Sequence, residues 1–361
     1  MERVSNLFEE LKGPHLVARF QNFCGLRRAP SLKKEEDGEI TKEEKSNSLQ
    51  IDHKWLLYLF LFGTSLGDET FYSIFFTFWF WSVDGAVGRR VVLVWGICMY
   101  IGQSLKDIIR WPRPSSPPVV KLERKWELEY GMPSTHAIVG AAVPLSIVIF
   151  TSSRYQYSAG FGVAIAITIC SLVCLSRLYL GMHSVLDILA GLGLVASLLP
   201  IVIPLVDKLD SFFLTHEMDG LPLEETPSSS SEAQLDEPRG LDKLPNGNPT
   251  WTSPSSPPYV VMWPTSGMIL LAVLRQCLGL GVVLLSKMMA KKLAHLALMK
   301  VKRDGELDKE LDDDEGTKPG MGTELFTKFL TYTLVGLSVT YASPNLFRGL
   351  GIERPTFHTE I

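Results

Sequence analysis

The feature that most constrains this chain is a succession of apolar stretches, most of them near or slightly below the roughly 20 residues that a bilayer-crossing helix needs. They run over 55–81, 91–105, 137–150, 160–175, 185–206, 267–285 and 326–341, with charged or polar blocks between them. The fold class they predict is all-α, a polytopic membrane helical bundle. The first stretch is interrupted at Gly67-Asp68-Glu69, so it is either one long bent span or a span followed by a half-helix. Hydrophobic residues make up 46% of the 361 and charged residues 20%. Because the charges collect in blocks, the composition describes a membrane protein with soluble ends. A net charge of −4 gives no electrostatic reason to bind nucleic acid, and that partner class is set aside. The five cysteines show no metal-ligand spacing and read as packing residues.

The stretches divide the chain. Residues 1–54 form a polar N-terminal tether in which Leu7, Leu11, Leu16 and Phe20 permit an amphipathic helix, either on a membrane surface or against a partner. No signal-peptide pattern occurs there, so the segment is expected to stay in the mature protein. Residues 55–206 hold the core of the protein, and 207–264, rich in Ser, Pro, Glu and Asp, read as a disordered polar linker. A transmembrane segment follows at 265–290, with Arg275 expected to snorkel or to make an interhelix contact. A charged loop at 291–324 then leads to a last transmembrane segment and tail at 325–361. The aromatic residues of 71–81 are expected to face lipid or the interface.

Three short segments carry nearly all the informative polar residues: KDIIRWPRP at 106–114, PSTH at 133–136 and SRLYLGMHSVLD at 176–187. If 137–150 crosses the membrane and 160–175 crosses back, all three emerge on the same side and can form one interfacial site. Lys106 and Arg113 bracket a helix end that Pro112 and Pro114 terminate, and Arg177 comes from another helix. Together they suit a phosphate monoester, whose charge is about −1.5 to −2 and spreads over three oxygens during transfer. The guanidinium planes give bidentate contacts and Lys106 a point charge. Ser134, a cap candidate behind Pro133, starts an apolar helix whose free N–H groups face the anion.

The chemistry also needs a nucleophile and an acid, and no metal-binding cluster of carboxylates offers to activate water. His183 and Asp187 are four residues apart, so on a helix they share a face, and the carboxylate fixes the imidazole tautomer. This makes His183 the candidate nucleophile. His136 is the candidate acid for the leaving alkoxide and then the base for the hydrolytic water. Residues 115–132, including Trp126, are the candidate headgroup selector, whereas Arg110, Lys121 and Arg124 read as basic residues facing lipid headgroups.

These segments resemble the signature of the type 2 phosphatidic acid phosphatase superfamily, shared with the vanadium haloperoxidases: Lys-x6-Arg-Pro, Pro-Ser-x-His and Ser-Arg-x5-His-x3-Asp. The resemblance implies phosphate binding by Lys106, Arg113, Ser134, Thr135 and Arg177, catalysis by His136 and His183, and orientation by Asp187, with neither cofactor nor metal. Thr135 stands where the pattern commonly has Gly; its backbone N–H remains available, but its side chain narrows the pocket. The wider wording, MYIGQSLKDIIRWPRPSSPPVVKLE and SLVCLSRLYLGMHSVLDILAG, looks like the sphingosine-1-phosphate phosphatases. That similarity implies a multi-pass enzyme of the endoplasmic-reticulum membrane acting on sphingosine 1-phosphate and its dihydro form. The competing readings are a broad phosphatase for glycerol-based lipid phosphates and a non-catalytic lipid-phosphate binder; intact His136, His183 and Asp187 argue against the latter.

Overall fold

The computed structural model describes residues 2–28, 49–123, 129–215, 259–260, 264–303 and 321–354. They are helical almost throughout, with strand confined to two short pairings. Two compact units emerge: Met1–Ser73 with Val87–Asp219 and Ser256–Val261, and Ile74–Ala86 with Gly220–Ser255 and Met262–Ile361. Among the described residues five helical segments are long and apolar enough to cross a membrane: Gly85–Ile109, Thr135–Ser152, Ala159–Tyr179, Val185–Phe213 and Ser266–Ala297. The protein is therefore a multi-pass membrane protein.

The first unit opens with α1 (Glu2–Lys12) and α2 (Pro14–Phe23), then β1 (Leu26–Arg28), which pairs antiparallel with β2 (Leu49–Ile51). Next come α3 (Lys54–Ser65) and α4 (Glu69–Phe78), so the 55–81 stretch is broken into two short helices where Gly67-Asp68 interrupts it. The membrane helices α5 (Gly85–Ile109), α6 (Thr135–Ser152), α7 (Ala159–Tyr179) and α8 (Val185–Thr215) follow. A two-residue β3 (Tyr155–Gln156) pairs in parallel with β4 (Tyr259–Val260).

Helix α6 is the axis of this unit, packed against α7 and α8, and its residues from Ala137 to Val143 are all buried. Small residues let the helices approach closely. A Cβ on Gly140 would lie 3.0 Å from Val173 of α7, one on Gly63 of α3 3.0 Å from the Leu172 carbonyl, and one on Gly191 of α8 2.9 Å from the Ser134 carbonyl. Phe161, Ile165 and Ile167 of α7 and Ile201 of α8 lie exposed, an apolar surface suited to lipid.

Two expectations for this unit are corrected. The polar linker does not begin at 207, because α8 continues to Thr215, and Asp207 and Asp210 pair with the start of α5. Arg89 and Arg90 each reach Asp210 at 3.0 Å, so these acidic residues close the helix bundle instead of solvating a tether. Nor is the N-terminal segment only a tether with a surface helix. Val17 and Gln21 of α2 are buried, with the Gln21 amide donating to the carbonyls of Val120 and Tyr179 at 2.7 and 2.8 Å. Its oxygen accepts from the Val120 N–H at 2.9 Å.

In the second unit α9 (Ser266–Arg303) packs against α10 (Met321–Leu337) and α11 (Ser343–Gly349). Arg275 neither snorkels nor reaches another helix: its Nε donates to the Ile352 carbonyl, just past the end of α11, at 2.5 Å. Trp81 corrects the reading of 71–81 as an outward belt. It is buried, stacks edge-on with Phe347 and donates its indole N–H to the Val339 carbonyl at 3.0 Å.

Candidate active site

The C-terminal ends of α5 and α7 and the N-terminal ends of α6 and α8 meet at one end of the first unit, as antiparallel crossing requires. The site grows from how each helix ends. Helix α5 stops at Ile109, with Arg110 in the left-handed region at φ 52°. The chain then turns so that Arg113 points back, donating from Nε to the Glu129 carbonyl and from Nη1 to the Met182 carbonyl, both at 2.8 Å. Arg110 itself bonds only locally, to the Asp107 carbonyl. Lys106, buried at the last turn of α5, reaches the Glu129 carboxylate at 3.1 Å.

Ser134 is the N-cap of α6, its hydroxyl accepting from the Ala137 N–H at 3.4 Å, while its own N–H donates to the Asp187 carbonyl at 3.0 Å. The start of α6 is thereby tied to the start of α8. Thr135 and His136 form the first helical residues that follow. Arg177, fully buried on the last turn of α7, donates to the Thr64 hydroxyl and, at 3.2 Å, to the Glu123 carboxylate.

The relation between His183 and Asp187 differs from a shared helical face. His183 precedes α8, in the turn that follows Gly181, whose φ of +71° the turn requires. The carboxylate instead belongs to a capping box: Asp187 accepts from the Ser184 N–H at 2.7 Å, and the Ser184 hydroxyl accepts from the Asp187 N–H at 3.2 Å. That reciprocal pair fixes the carboxylate so that the same oxygen, Oδ2, lies 3.6 Å from His183 Nδ1. The opposite ring nitrogen, Nε2, lies 3.4 Å from an Arg113 guanidinium nitrogen. A guanidinium only donates, so Nε2 carries the lone pair and Nδ1 the proton, the tautomer a nucleophile needs. Burial holds the His183 imidazole well below its usual range, reinforced by Arg113, Arg177, Lys106 and His136. The ring is neutral at physiological pH.

The motif residues Lys106, Arg113, Ser134, Thr135, His136, Arg177, His183 and Asp187 thus gather at this end of the unit. Arg177 Nε, His136 Nε2 and Asp187 Oδ1 are buried with no hydrogen-bond partner among the described residues. Buried polar atoms without partners are costly unless a ligand or water meets them. Trp126 and Arg124, assigned from sequence to headgroup selection and to lipid contact, lie outside the described residues.

Sequence reasoning missed two further walls. The turn between α3 and α4 abuts a phosphate-binding and a catalytic candidate: Thr64 holds Arg177, the Asp68 carboxylate lies 3.7 Å from His136 Nε2, and Gly67 sits against the His136 ring. Glu123 and Glu129 rest on Arg177 and Lys106. The capping box was legible as Ser-x-x-Asp before an apolar run; the other contacts carry no local signal.

The PAP2 superfamily model matches residues 87–210, which hold every residue singled out from the three motifs. Sphingosine-1-phosphate phosphatase 1 of Mus musculus is 36% identical over 354 residues, covering 91% of this chain and 79% of the relative. Sphingosine-1-phosphate phosphatase 2 of Mus musculus is 34% identical over 375 residues, covering 97% of this chain and 100% of the relative. Sphingosine-1-phosphate phosphatase 1 of Rattus norvegicus is 49% identical over 197 residues, an alignment that spans 54% of this chain and 44% of that protein.

Proposed function

Because the chain belongs to the PAP2 superfamily and, within it, to the sphingosine-1-phosphate phosphatases, we propose that this site removes phosphate from sphingoid-base phosphates through a phosphohistidine at His183. The observation that carries the reading is the neutral, oriented imidazole of His183, its Nε2 lone pair facing Arg113 in a pocket that Lys106 and Arg177 complete.

The substrate phosphate accepts from Lys106, from Arg113, from the Arg177 Nε that Glu123 leaves unused and from the first N–H groups of α6. Nε2 attacks phosphorus, and a P–N bond forms as the P–O bond to the lipid breaks. The electron pair of that bond leaves on the alkoxide, which takes a proton from His136. A water then attacks phosphorus, its proton passing to His136, and the P–N bond breaks to return the lone pair to Nε2. Lys106, Arg113 and Arg177 stabilise the charge on the equatorial oxygens throughout. Asp187 keeps the ring in register and stabilises the positive charge it acquires. The side chains supply nucleophile, acid and charge stabilisation, so the reaction is expected to need no metal. The endoplasmic-reticulum membrane belongs to the same reading, and co-localisation of the tagged full chain with a marker of that membrane checks it.

The test is phosphate release by membranes containing the full chain, with sphingosine 1-phosphate and with phosphatidate, chelator present, beside a His183→Ala control. Chelator-resistant release from the sphingoid substrate that disappears in the control is the expected result. Faster release from phosphatidate would replace the sphingoid reading with a glycerolipid one, and release that persists without His183 would overturn the mechanism.

A further inference from the structure

A pocket built only to hold a phosphate dianion has no use for carboxylates on its cations, yet this one has them. Glu123 lies 3.2 Å from Arg177 and Glu129 lies 3.1 Å from Lys106. With Asp187 and the Asp68 carboxylate beside His136, the acids of the site are at least as numerous as the cations Lys106, Arg113 and Arg177. A dianion entering such a site is attracted by the cations and repelled by fixed acids at similar range.

Glu123 in particular has little freedom to move aside. Its neighbour Leu122 donates its N–H to the Leu180 carbonyl at 3.2 Å. Val119 and Val120 just before it are buried, and Gln21 clamps Val120 through three hydrogen bonds, two direct to that residue and one to Tyr179 beside Leu180. A Cβ on Gly181 would overlap the Val120 carbonyl, so the strand of loop and the end of α7 are in close contact. The carboxylate itself stays partly open, its side chain 27% exposed, while Arg177 beneath it is buried and keeps Nε without a partner among the described residues. Arg177 therefore retains a donor for phosphate while Glu123 remains at the mouth.

A substrate that carries its own cation next to the phosphate resolves the conflict. In a sphingoid-base phosphate a primary ammonium sits on the carbon adjacent to the one bearing the phosphate ester. We infer that Glu123 is a specificity-determining residue, its carboxylate receiving that ammonium while Arg177 holds the neighbouring phosphate. The inference rests on the sphingoid reading of the site. It supplies the physical reason a lipid phosphate without an amine is the poorer substrate: it leaves Glu123 facing a dianion with nothing between them.

The experiment compares sphingosine 1-phosphate with octadecyl phosphate, a long-chain monoester with no amine, using the full-length protein in mixed micelles. Wild-type protein is expected to favour the sphingoid substrate in kcat/KM. In Glu123→Gln the ratio of the two kcat/KM values is expected to fall about tenfold or more, mainly through KM for the sphingoid substrate, as loss of a charge-assisted hydrogen bond dictates. Glu123→Asp, which keeps the charge, is expected to retain a preference between those of wild type and Glu123→Gln, and it stands in should the Gln variant fail to fold. A preference that survives Glu123→Gln intact, both substrates falling together, would overturn the inference and leave Glu123 as a mere anchor of Arg177. Equal use of both substrates by the wild-type protein would instead remove the sphingoid reading beneath it.

Discussion

Gly67→Ala isolates what the turn between α3 and α4 does for catalysis. An ideal Cβ built at Gly67 overlaps His136 Cδ2 and stands 3.1 Å from Cγ and 3.2 Å from Nε2 of the same ring. Ordinary carbon contacts lie at about 3.5–4.0 Å, so the imidazole must retreat by roughly 0.5–1 Å or the turn must move back by as much. Gly67 has no positive φ, so alanine brings no backbone strain there, and the perturbation falls on the ring. A misplacement of about 1 Å in a reacting group costs on the order of 100-fold in rate, equivalent to about 2.7 kcal/mol of barrier. The expected result is a kcat for sphingosine 1-phosphate lowered by about that factor, with KM nearly unchanged because the phosphate cations are untouched. Kinetics on purified protein in mixed micelles, paired with thermal melting of the same samples, give the answer. Unchanged kcat would show that the ring does not need its present seat, and a kcat loss matched by a collapse in melting temperature would show that the turn is only structural.

Other outcomes follow from the same geometry. Asp187→Asn keeps the shape and a capping oxygen but replaces the anionic partner of Nδ1, so kcat should fall by roughly 10³–10⁴ with little change in melting temperature; a fall under tenfold would refute the tautomer assignment. Burial and nearby cations disfavour the charged form of His183, so the nucleophile becomes protonated only below the usual imidazole range. The limb that His183 contributes to the pH profile of kcat/KM, which reports the free enzyme, is accordingly expected below about pH 6.5, and a His183 limb at or above that value would contradict it. Gln21→Ala strands the Val120 N–H and two carbonyls inside the unit. At about 1–3 kcal/mol for each buried group left unmet, it should lower the melting temperature markedly, and an unchanged midpoint would return α2 to the status of a tether.

What could be read from the sequence was whatever is fixed by the ends of single helices. The spacing of Lys106 to Arg113, the position of Ser134 before an apolar run and the Ser184-to-Asp187 interval are all set within one or two turns of chain, so their geometry is implicit in their order. The alternation of spans then brings those ends to one side. What could not be read depends on contacts across long separations. Thr64 reaches Arg177 across 113 positions and Gln21 reaches Tyr179 across 158, and no periodicity announces either. Gln21 belonged to a segment whose polarity suggested solvent, yet a buried amide is at home wherever three backbone groups need partners. Asp207 and Asp210 misled in the same way, because a carboxylate just past an apolar run looks like the start of a linker until Arg89 and Arg90 are seen opposite it.

The capping box explains why fold and chemistry converge on so short a segment. A helix starting at a membrane interface must satisfy its first N–H groups, and α8 does so with the Ser184 hydroxyl and the Asp187 carboxylate. One carboxylate oxygen is held by the Ser184 N–H, which fixes the group in space; that fixed carboxylate then orients His183, and the Asp187 carbonyl holds Ser134 at the head of α6. The nucleophile and the N–H groups that receive the phosphate are therefore positioned by a single residue. A histidine in a turn without such a carboxylate would have to lose considerable rotamer freedom on reaching its reactive geometry, whereas here that freedom is already lost on folding. The same arrangement constrains the order of the motifs along the chain: Asp187 can hold the head of α6 through its carbonyl and the nucleophile before α8 through its carboxylate only if the two helices begin at the same face of the bilayer.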